Sequence, residues 1–440
     1  MISIEDLYSI FRQHPKIVTD SREVRPGCLF FALKGERFNG NEFARQALEN
    51  GAAYCIVDEK NGPDHERLLK VDDVLTTLQG LAAYHRQQFN IPVIAITGSN
   101  GKTTTKELVS AILSSQYPTH WTKGNFNNHI GVPLTLMAMP LATEVAIIEM
   151  GANHQGEIDF LCRIAAPTHG LITNIGKAHL EGFGGLEGVK KGKSELYRYL
   201  AAGKGVIFIN SDELYLEELV GSHSQVIYYH KSDAPSLEHI PMEVKLIAEQ
   251  PFLEVAFLDR QGEMVHAKSQ LIGTYNFNNI MTAVALGKYF KVPADKIKQA
   301  IESYVPANNR SQVVKIGSNT FVLDAYNANP TSMKNALKAF SQTPAGTRVA
   351  ILGAMLELGE YTESEHEYIA NYAQSLGFGK VVLVGNEFKE IAERKGIFYF
   401  QNTNSLKTWF DQQGFEKTHF LVKGSRSIGL ERFLLAENAP

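Results

Sequence analysis

Residues 91–107, IPVIAITGSNGKTTTKE, constrain the fold of this chain more than any other stretch. An apolar strand over 91–96 runs into a glycine-rich turn, then Lys102, then three threonines that open a helix. Such a turn aims backbone N–H groups at one point, and the helix behind it adds the positive end of its dipole. The result is a cradle for nucleotide phosphates. Its candidate residues are Gly98, Ser99, Asn100, Gly101, Lys102, Thr103 and Thr104. Lys102 would reach the terminal phosphates, and the Thr103 hydroxyl would sit on Mg2+. The spacing departs from the standard phosphate loop, because only Ser99 and Asn100 stand between Gly98 and Gly101. The alternative is a strand-to-helix turn with an incidental lysine. The strand before it and the helix after it are the context the motif requires.

A phosphate loop in that setting calls for a doubly wound, mostly parallel sheet. Further buried-type strands are expected over 145–150, 170–175 and 205–210, with helical stretches between. Thr97, Glu149 and Asn174 then fall at or beside strand ends on the carboxyl edge, where such sheets bind ligands. The stretch 226–265 reads as more antiparallel and precedes a helix starting near Asn276. Ahead of the phosphate loop, strands over 28–33 and 54–57 and helices over 42–49 and 74–88 make a small α/β module. Residues 306–310, PANNR, read as a linker. A third α/β block follows, with strands expected over 320–324, 348–353, 380–384, 397–400 and 419–422. It lacks GxGxxG, so a dinucleotide is not implied. The fold class is therefore α/β in three domains: a small amino-terminal α/β domain (1–90), a central P-loop-type, mostly parallel ATPase domain (91–305) and a carboxy-terminal Rossmann-like domain (306–440).

Composition narrows the function by exclusion. The 440 residues are 44% hydrophobic and 20% charged, enough for large cores, and the net charge of −4 with no basic run argues against nucleic acid as a partner. Cys28, Cys55 and Cys162 form no CxxC pair, which argues against a disulfide framework or zinc knuckle. No apolar run reaches the ~20 residues of a membrane span. The opening MISIEDLYSIFRQH has no basic segment followed by an apolar one. A cytoplasmic enzyme is expected.

Several residues carry candidate chemistry beside a plainer alternative. Glu149, in AIIEMG, is a carboxylate at a strand tip beside the phosphate loop, suited to Mg2+ or to capping a turn. His179 follows another strand and is either a ligand or a satisfied structural histidine. Lys193 sits in the lysine-rich EGVKKGKSELY, which reads as a solvated helix face; a lysine carbamylated by CO2 would instead offer oxygens to a hard cation. Asn276 and Asn279 share a helix face and could meet an adenine edge or cap the helix. Arg310, in the linker, would grip phosphate oxygens or remain a surface residue. The clusters Asp324, Tyr326, Asn327, Asn329, Ser332 and Lys423, Ser425, Arg426, Ser427 each follow an apolar strand of the third block, and the first also reads as an Asn/Pro turn.

With these residues in hand, the chain resembles the Mur ligases over essentially its whole length. The resemblance rests on TDSREVRPGCLFFALKGERFNGNEFARQALENGA, TGSNGKTTTKE, GNFNNHIGVPLTL, IIEMGANHQGEI, NIGKAHLEGFGGLEGV, DAYNANPTSM, MLELGE and LVKGSRS. The short phosphate loop marks only the wider superfamily, which includes folylpolyglutamate synthetases. GNFNN, EMGANHQGEI and YNANPTSM point to the members that join D-alanyl-D-alanine to UDP-N-acetylmuramoyl-tripeptide with ATP, through an acyl phosphate. The resemblance implies an amino-terminal domain for the UDP-sugar, a central ATPase and a third domain for the dipeptide. It implies Mg2+ at two sites, held by Thr103, Glu149, His179 and a carbamylated Lys193. It implies catalytic parts for Lys102, Lys193 and His179, and nucleotide contacts from Asn276, Asn279, Arg310 and Asp324. Substrate contacts are implied for Ser21, Arg22, Asn127 and Asn128, and for Tyr326, Asn327, Asn329, Lys423 and Arg426. A monomer is expected. Three segments depart from the family pattern: Ala354 stands for an expected Asp, Asn39-Gly40-Asn41 for Asp-Gly-His, and His129 for a frequent Glu. Two other readings stay open: a superfamily ligase adding a single amino acid or glutamate to folate, and a nucleotide switch that needs no acceptor.

Overall fold

The computed structural model describes residues 2–59, 65–213, 215–233, 242–344 and 346–434. Three main sheets follow one another along the chain, with four, nine and six strands. The central sheet is built around Val93–Thr97, whose five residues are all buried. Such an unbroken apolar run suits a parallel strand covered on both faces. It lies between Val145–Glu149 and His169–Ile172, parallel to both. The strand order reverses on either side of Val93–Thr97, so the phosphate loop leaves the sheet at its switch point. One face is covered by Lys102–Ser114 and Tyr275–Tyr289, through Val109, Ile112, Ile280 and Val284 against Ile94 and Ile96. The other is covered by Glu157–Ala165 and Glu195–Ala202, through Leu161, Leu196 and Leu200.

The antiparallel expectation for 226–265 holds only in part. Val226–Lys231 and Met242–Ala248 extend the sheet in parallel, and antiparallel pairing begins at Glu254–Leu258 and Met264–Lys268. Residues 234–241 of that stretch lie outside the described residues. Met242–Leu246 alternates apolar and polar residues as an antiparallel strand would, so periodicity there could not separate the cases. The helix expected over 42–49 is split into a 3-10 turn, Gly40–Phe43, and an α-helix, Ala44–Glu49. Very short strands escaped the pattern, among them Ile17–Val18 and Thr119–Trp121.

The first sheet is all parallel. Its unit is anchored to the central one through the helix Val74–Gln87. Buried Arg86 donates to the Ala165 carbonyl at 3.0 Å and the Ala166 carbonyl at 3.1 Å, and Gln79 donates to the His129 carbonyl at 3.0 Å. In the third sheet Thr418–Lys423, late in the chain, inserts between Asn319–Asp324 and Thr347–Gly353. Its register sets Lys423 directly beside Asp324. Gln312–Ile316 adds one antiparallel edge. No helix among the described residues is long and apolar enough to cross a membrane.

Candidate active site

The carboxyl ends of the central and third sheets face each other across a cavity of about 710 Å3. On the central side the phosphate loop is fixed by the strand end that follows His169–Ile172. Ser99 Oγ donates to the Gly176 carbonyl at 3.0 Å, and the Asn100 amide donates to Asn174 Oδ1 at 3.0 Å. Thr173 Oγ1 donates to the Asn100 carbonyl at 2.6 Å. Gly98 has φ +138°, and a Cβ there would fall 2.0 Å from Thr173 Oγ1, so no side chain fits. Gly101, at φ +81°, starts the helix Lys102–Ser114 in the left-handed region. The loop is therefore rigid before any phosphate arrives.

Lys102 Nζ donates to the Gly98 carbonyl at 2.7 Å, folding back over the loop. Burial lowers its pKa, the Glu149 carboxylate opposes that shift, and the Arg310 guanidinium adds to it. Glu149 is almost wholly buried. Its Oε1 accepts from Thr103 Oγ1 at 3.1 Å and Asn127 Nδ2 at 2.8 Å. Its Oε2 has no hydrogen-bond partner. A buried carboxylate oxygen left open beside a threonine hydroxyl fits a hard cation whose remaining ligands are phosphate and water. No group of three or more His, Cys, Asp or Glu side chains gathers as a metal site among the described residues. The first expected Mg2+ position thus has a fitting donor set in Glu149 and Thr103. Lys193 does not offer a ligand as it stands. It is buried, and its Nζ donates to the Ala152 carbonyl at 3.1 Å. Burial first, then the charge of Lys102, push its pKa well below the ordinary lysine range, against the pull of Glu157 and Glu195. The solvated-face alternative for Lys193 is overturned.

Asn276 and Asn279 are bonded to each other, Asn279 Nδ2 donating to Asn276 Oδ1 at 2.8 Å, and neither caps the helix. Thr105 Oγ1 donates to Asn279 Oδ1 at 3.0 Å, tying this pair to the helix after the phosphate loop. On the third side, Lys423 Nζ donates to Asp324 Oδ2 at 2.6 Å, and the Ser311 amide donates to Asp324 Oδ1 at 3.1 Å. The Arg310 guanidinium lies 3.7 Å from the centre of the Tyr326 ring, with Arg426 at 5.5 Å. Asn128 caps its own turn by accepting from the Ile130 and Gly131 amides. Asn329 caps Pro330–Ser341 in a reciprocal box with Ser332, and its Nδ2 donates to Asn100 Oδ1 at 2.8 Å. That bond joins the third unit directly to the phosphate loop.

Three family models match in chain order: "Mur ligase family, catalytic domain" over 16–86, "Mur ligase middle domain" over 96–287, and "Mur ligase, glutamate ligase domain" over 309–426. The chain belongs to the Mur ligase family. Among its relatives, the UDP-N-acetylmuramoyl-tripeptide–D-alanyl-D-alanine ligase of Bacillus subtilis (strain 168) is 37% identical, the match covering 95% of this chain and 92% of that one. The enzyme of the same name from Escherichia coli (strain K12) is 35% identical over 96% and 93%. A crystal structure of MurF from Acinetobacter baumannii superposes with a TM-score of 0.83 at 33% identity, covering 95% and 92% of the two chains. MurF from Thermotoga maritima in complex with ADP gives a TM-score of 0.83 at 26% identity, covering 99% and 97%.

In this Mur ligase the cavity gathers most of the expected residues, from Ser99 through Glu149 and His179 to Asp324 and Lys423. Five expected residues do not line it, Gly98 at the base of the phosphate loop among them. Ser21 and Arg22 form a 3-10 turn of the first unit, where Arg22 pairs with Asp20. Lys193 lies behind the wall at Ala152. Arg426 stands beside Tyr326 and lies 3.7 Å from Glu431. Sequence reasoning passed over Glu357, which hydrogen-bonds His179 from the third unit, although it lies in the quoted MLELGE segment. It also passed over Lys106, fully enclosed and 3.7 Å from Glu149 Oε2, because one lysine in a helix carries no signal of burial.

Proposed function

We propose that this Mur ligase joins D-alanyl-D-alanine to UDP-N-acetylmuramoyl-tripeptide at the expense of ATP, giving the pentapeptide, ADP and phosphate, in the cytoplasm. The observation that carries the reading is the single cavity lined by a phosphate loop on one sheet and the Asp324–Lys423 cluster on another. The full-length likeness to ligases of this name supports the choice of substrates. Residues 1–90 would hold the UDP-sugar, 91–305 the ATP, and 306–440 the dipeptide.

The terminal carboxylate of the tripeptide attacks the γ-phosphorus of ATP, the bond to the bridging oxygen breaks, and ADP leaves an acyl phosphate. The amine of D-alanyl-D-alanine then attacks the acyl carbon, the carbon–oxygen bond breaks, phosphate leaves, and the amine's surplus proton passes to solvent. The protein's part is to position and to stabilise charge. The amides of Ser99–Thr104 and the Lys102 ammonium surround the phosphates. Arg310 faces them across the cavity, its fork suited to phosphate oxygens. The Asn276–Asn279 pair presents amide groups to the base. Tyr326, Asn327 and Lys423 line the acceptor side, with Arg426 beside Tyr326. Mg2+, held by Glu149 and Thr103, supplies charge neutralisation at the phosphates when bound. We also propose that Lys193 carries a CO2-derived carbamate. Its depressed pKa favours the neutral amine that reacts with CO2, and a carbamate there, with His179, would complete a second cation site.

Phosphate release with ATP, Mg2+ and UDP-N-acetylmuramoyl-tripeptide tests the reading. Release that requires D-alanyl-D-alanine, with a pentapeptide product by mass, is expected. Release indifferent to the dipeptide would overturn it.

A further inference from the structure

His179 and Glu357 belong to different units, and each is a non-glycine residue in the left-handed region, at φ +52° and +62°. Such backbone persists only where the surroundings hold it. The two side chains meet, His179 Nδ1 against Glu357 Oε2. The backbones meet as well, the Glu181 amide donating to the Glu357 carbonyl at 3.2 Å. The segment that presents Glu357 is braced from behind. The Met355 amide donates to His366 Nε2 at 3.0 Å, and fully buried His366 in turn donates from Nδ1 to the Thr362 carbonyl at 2.6 Å. The Leu356 amide donates to Ser425 Oγ at 3.1 Å, and the Ser425 amide to the Ala354 carbonyl at 3.1 Å. Glu357 is thus carried to His179 by a segment of the third unit, and its hydrogen bonds to the central unit are those with His179 and the Glu181 amide. A histidine that gives its Nδ1 proton to a carboxylate is held in one tautomer, with the lone pair of Nε2 free for a cation or a phosphate-bound proton.

We propose that Glu357 is a positioning residue for the ligase reaction: docking of the third unit sets the tautomer and orientation of His179, so this histidine is correctly presented only when the acceptor-binding unit is in place. This rests on the reading that the cavity binds ATP with a divalent cation. A carboxylate behind a metal-binding histidine typically changes metal affinity about 10–100-fold.

The test has two readouts besides turnover. In enzyme with 15N-labelled histidine, assigned by loss of a signal in His179→Gln, His179 should carry its proton on Nδ1 in the wild type and shift toward Nε2–H in Glu357→Ala. With a non-hydrolysable ATP analogue and enough Mn2+ to fill the Glu149–Thr103 position, binding of a second Mn2+ followed by electron paramagnetic resonance should weaken about 10–100-fold in Glu357→Ala. Glu357→Gln, whose amide oxygen still accepts from Nδ1, should recover most of that affinity. An Nε2–H tautomer in the wild type would overturn the proposal without recourse to any variant. So would Glu357→Ala with unchanged tautomer and Mn2+ affinity. Failure of the wild type to bind Mn2+ with the analogue would instead strike the ATP reading, leaving the tautomer measurement to stand by itself.

Discussion

Replacing Lys106 by Met is the most searching test of how the phosphate site is held. The Lys106 side chain is fully enclosed, with Nζ 2.9 Å from Glu107 Oε1 and 3.7 Å from Glu149 Oε2. Two unit charges 3.7 Å apart attract by about 4 kcal/mol at an effective dielectric of ~20. Methionine keeps the volume and removes the charge, leaving the Glu149 carboxylate buried with an oxygen that has no hydrogen bond. Breaking a buried pair from one side costs about 3–5 kcal/mol, and relief of the lysine's own burial argues for the lower end, about 3 kcal/mol. The chain has two tryptophans, so a Trp409→Phe background leaves Trp121, on the edge of the central sheet, as the reporter. Urea unfolding followed at Trp121 should show the loss. Mg2+ with ADP should shrink it by supplying the missing cation. The double variant Lys106→Met/Glu149→Gln should be more stable than the sum of the singles. A loss under about 1 kcal/mol, the range of exposed surface pairs, would refute the argument that an ion pair is buried here.

Other outcomes follow from the same geometry. Lys102→Ala should cut ATP-dependent phosphate release by at least ~10²-fold with an unchanged urea midpoint, since its hydrogen bond is to its own loop. Lys193→Ala should be nearly inactive and regain rate with added short carboxylic acids; full activity without them would remove the carbamate. Burial depresses His169 to about 4 from the ordinary 6.5. The unfolded chain therefore binds the proton more readily, and the neutral ring's contribution, present above pH 6.5, is lost as pH falls toward 4. That is about 3 kcal/mol at most, and His169→Gln should flatten the dependence in acid unfolding.

The phosphate loop was readable because its chemistry is local: strand, glycines, lysine and helix lie within seventeen successive residues, 91–107. Glu149 and Asp324 were readable for a related reason, since a polar residue ending an apolar strand falls on the carboxyl edge of a parallel sheet. The Asn276–Asn279 spacing announced a shared helix face, though not that the two amides would bond each other. What stayed hidden depends on contacts between units. Glu357 reads as one acidic residue in a loop, and only the docking of the third sheet brings it to His179. Asn329 reads equally well as cap or contact, and is both. The run of lysines around Lys193 looked solvated because sequence gives no sign that helix Leu186–Lys193 turns that end inward.

The insertion of Thr418–Lys423 into the middle of the third sheet bears on synthesis at the ribosome. The phosphate loop and its whole sheet are made well before Lys423, the cation that braces Asp324 on the opposite wall. A nascent or prematurely terminated chain would own a nucleotide cradle while the sheet across from it was still split in two. Assembly order therefore leaves the wall that carries Asp324 until last, and a chain stopped short of Thr418 would have its Ser99–Thr104 turn in place with no finished sheet opposite.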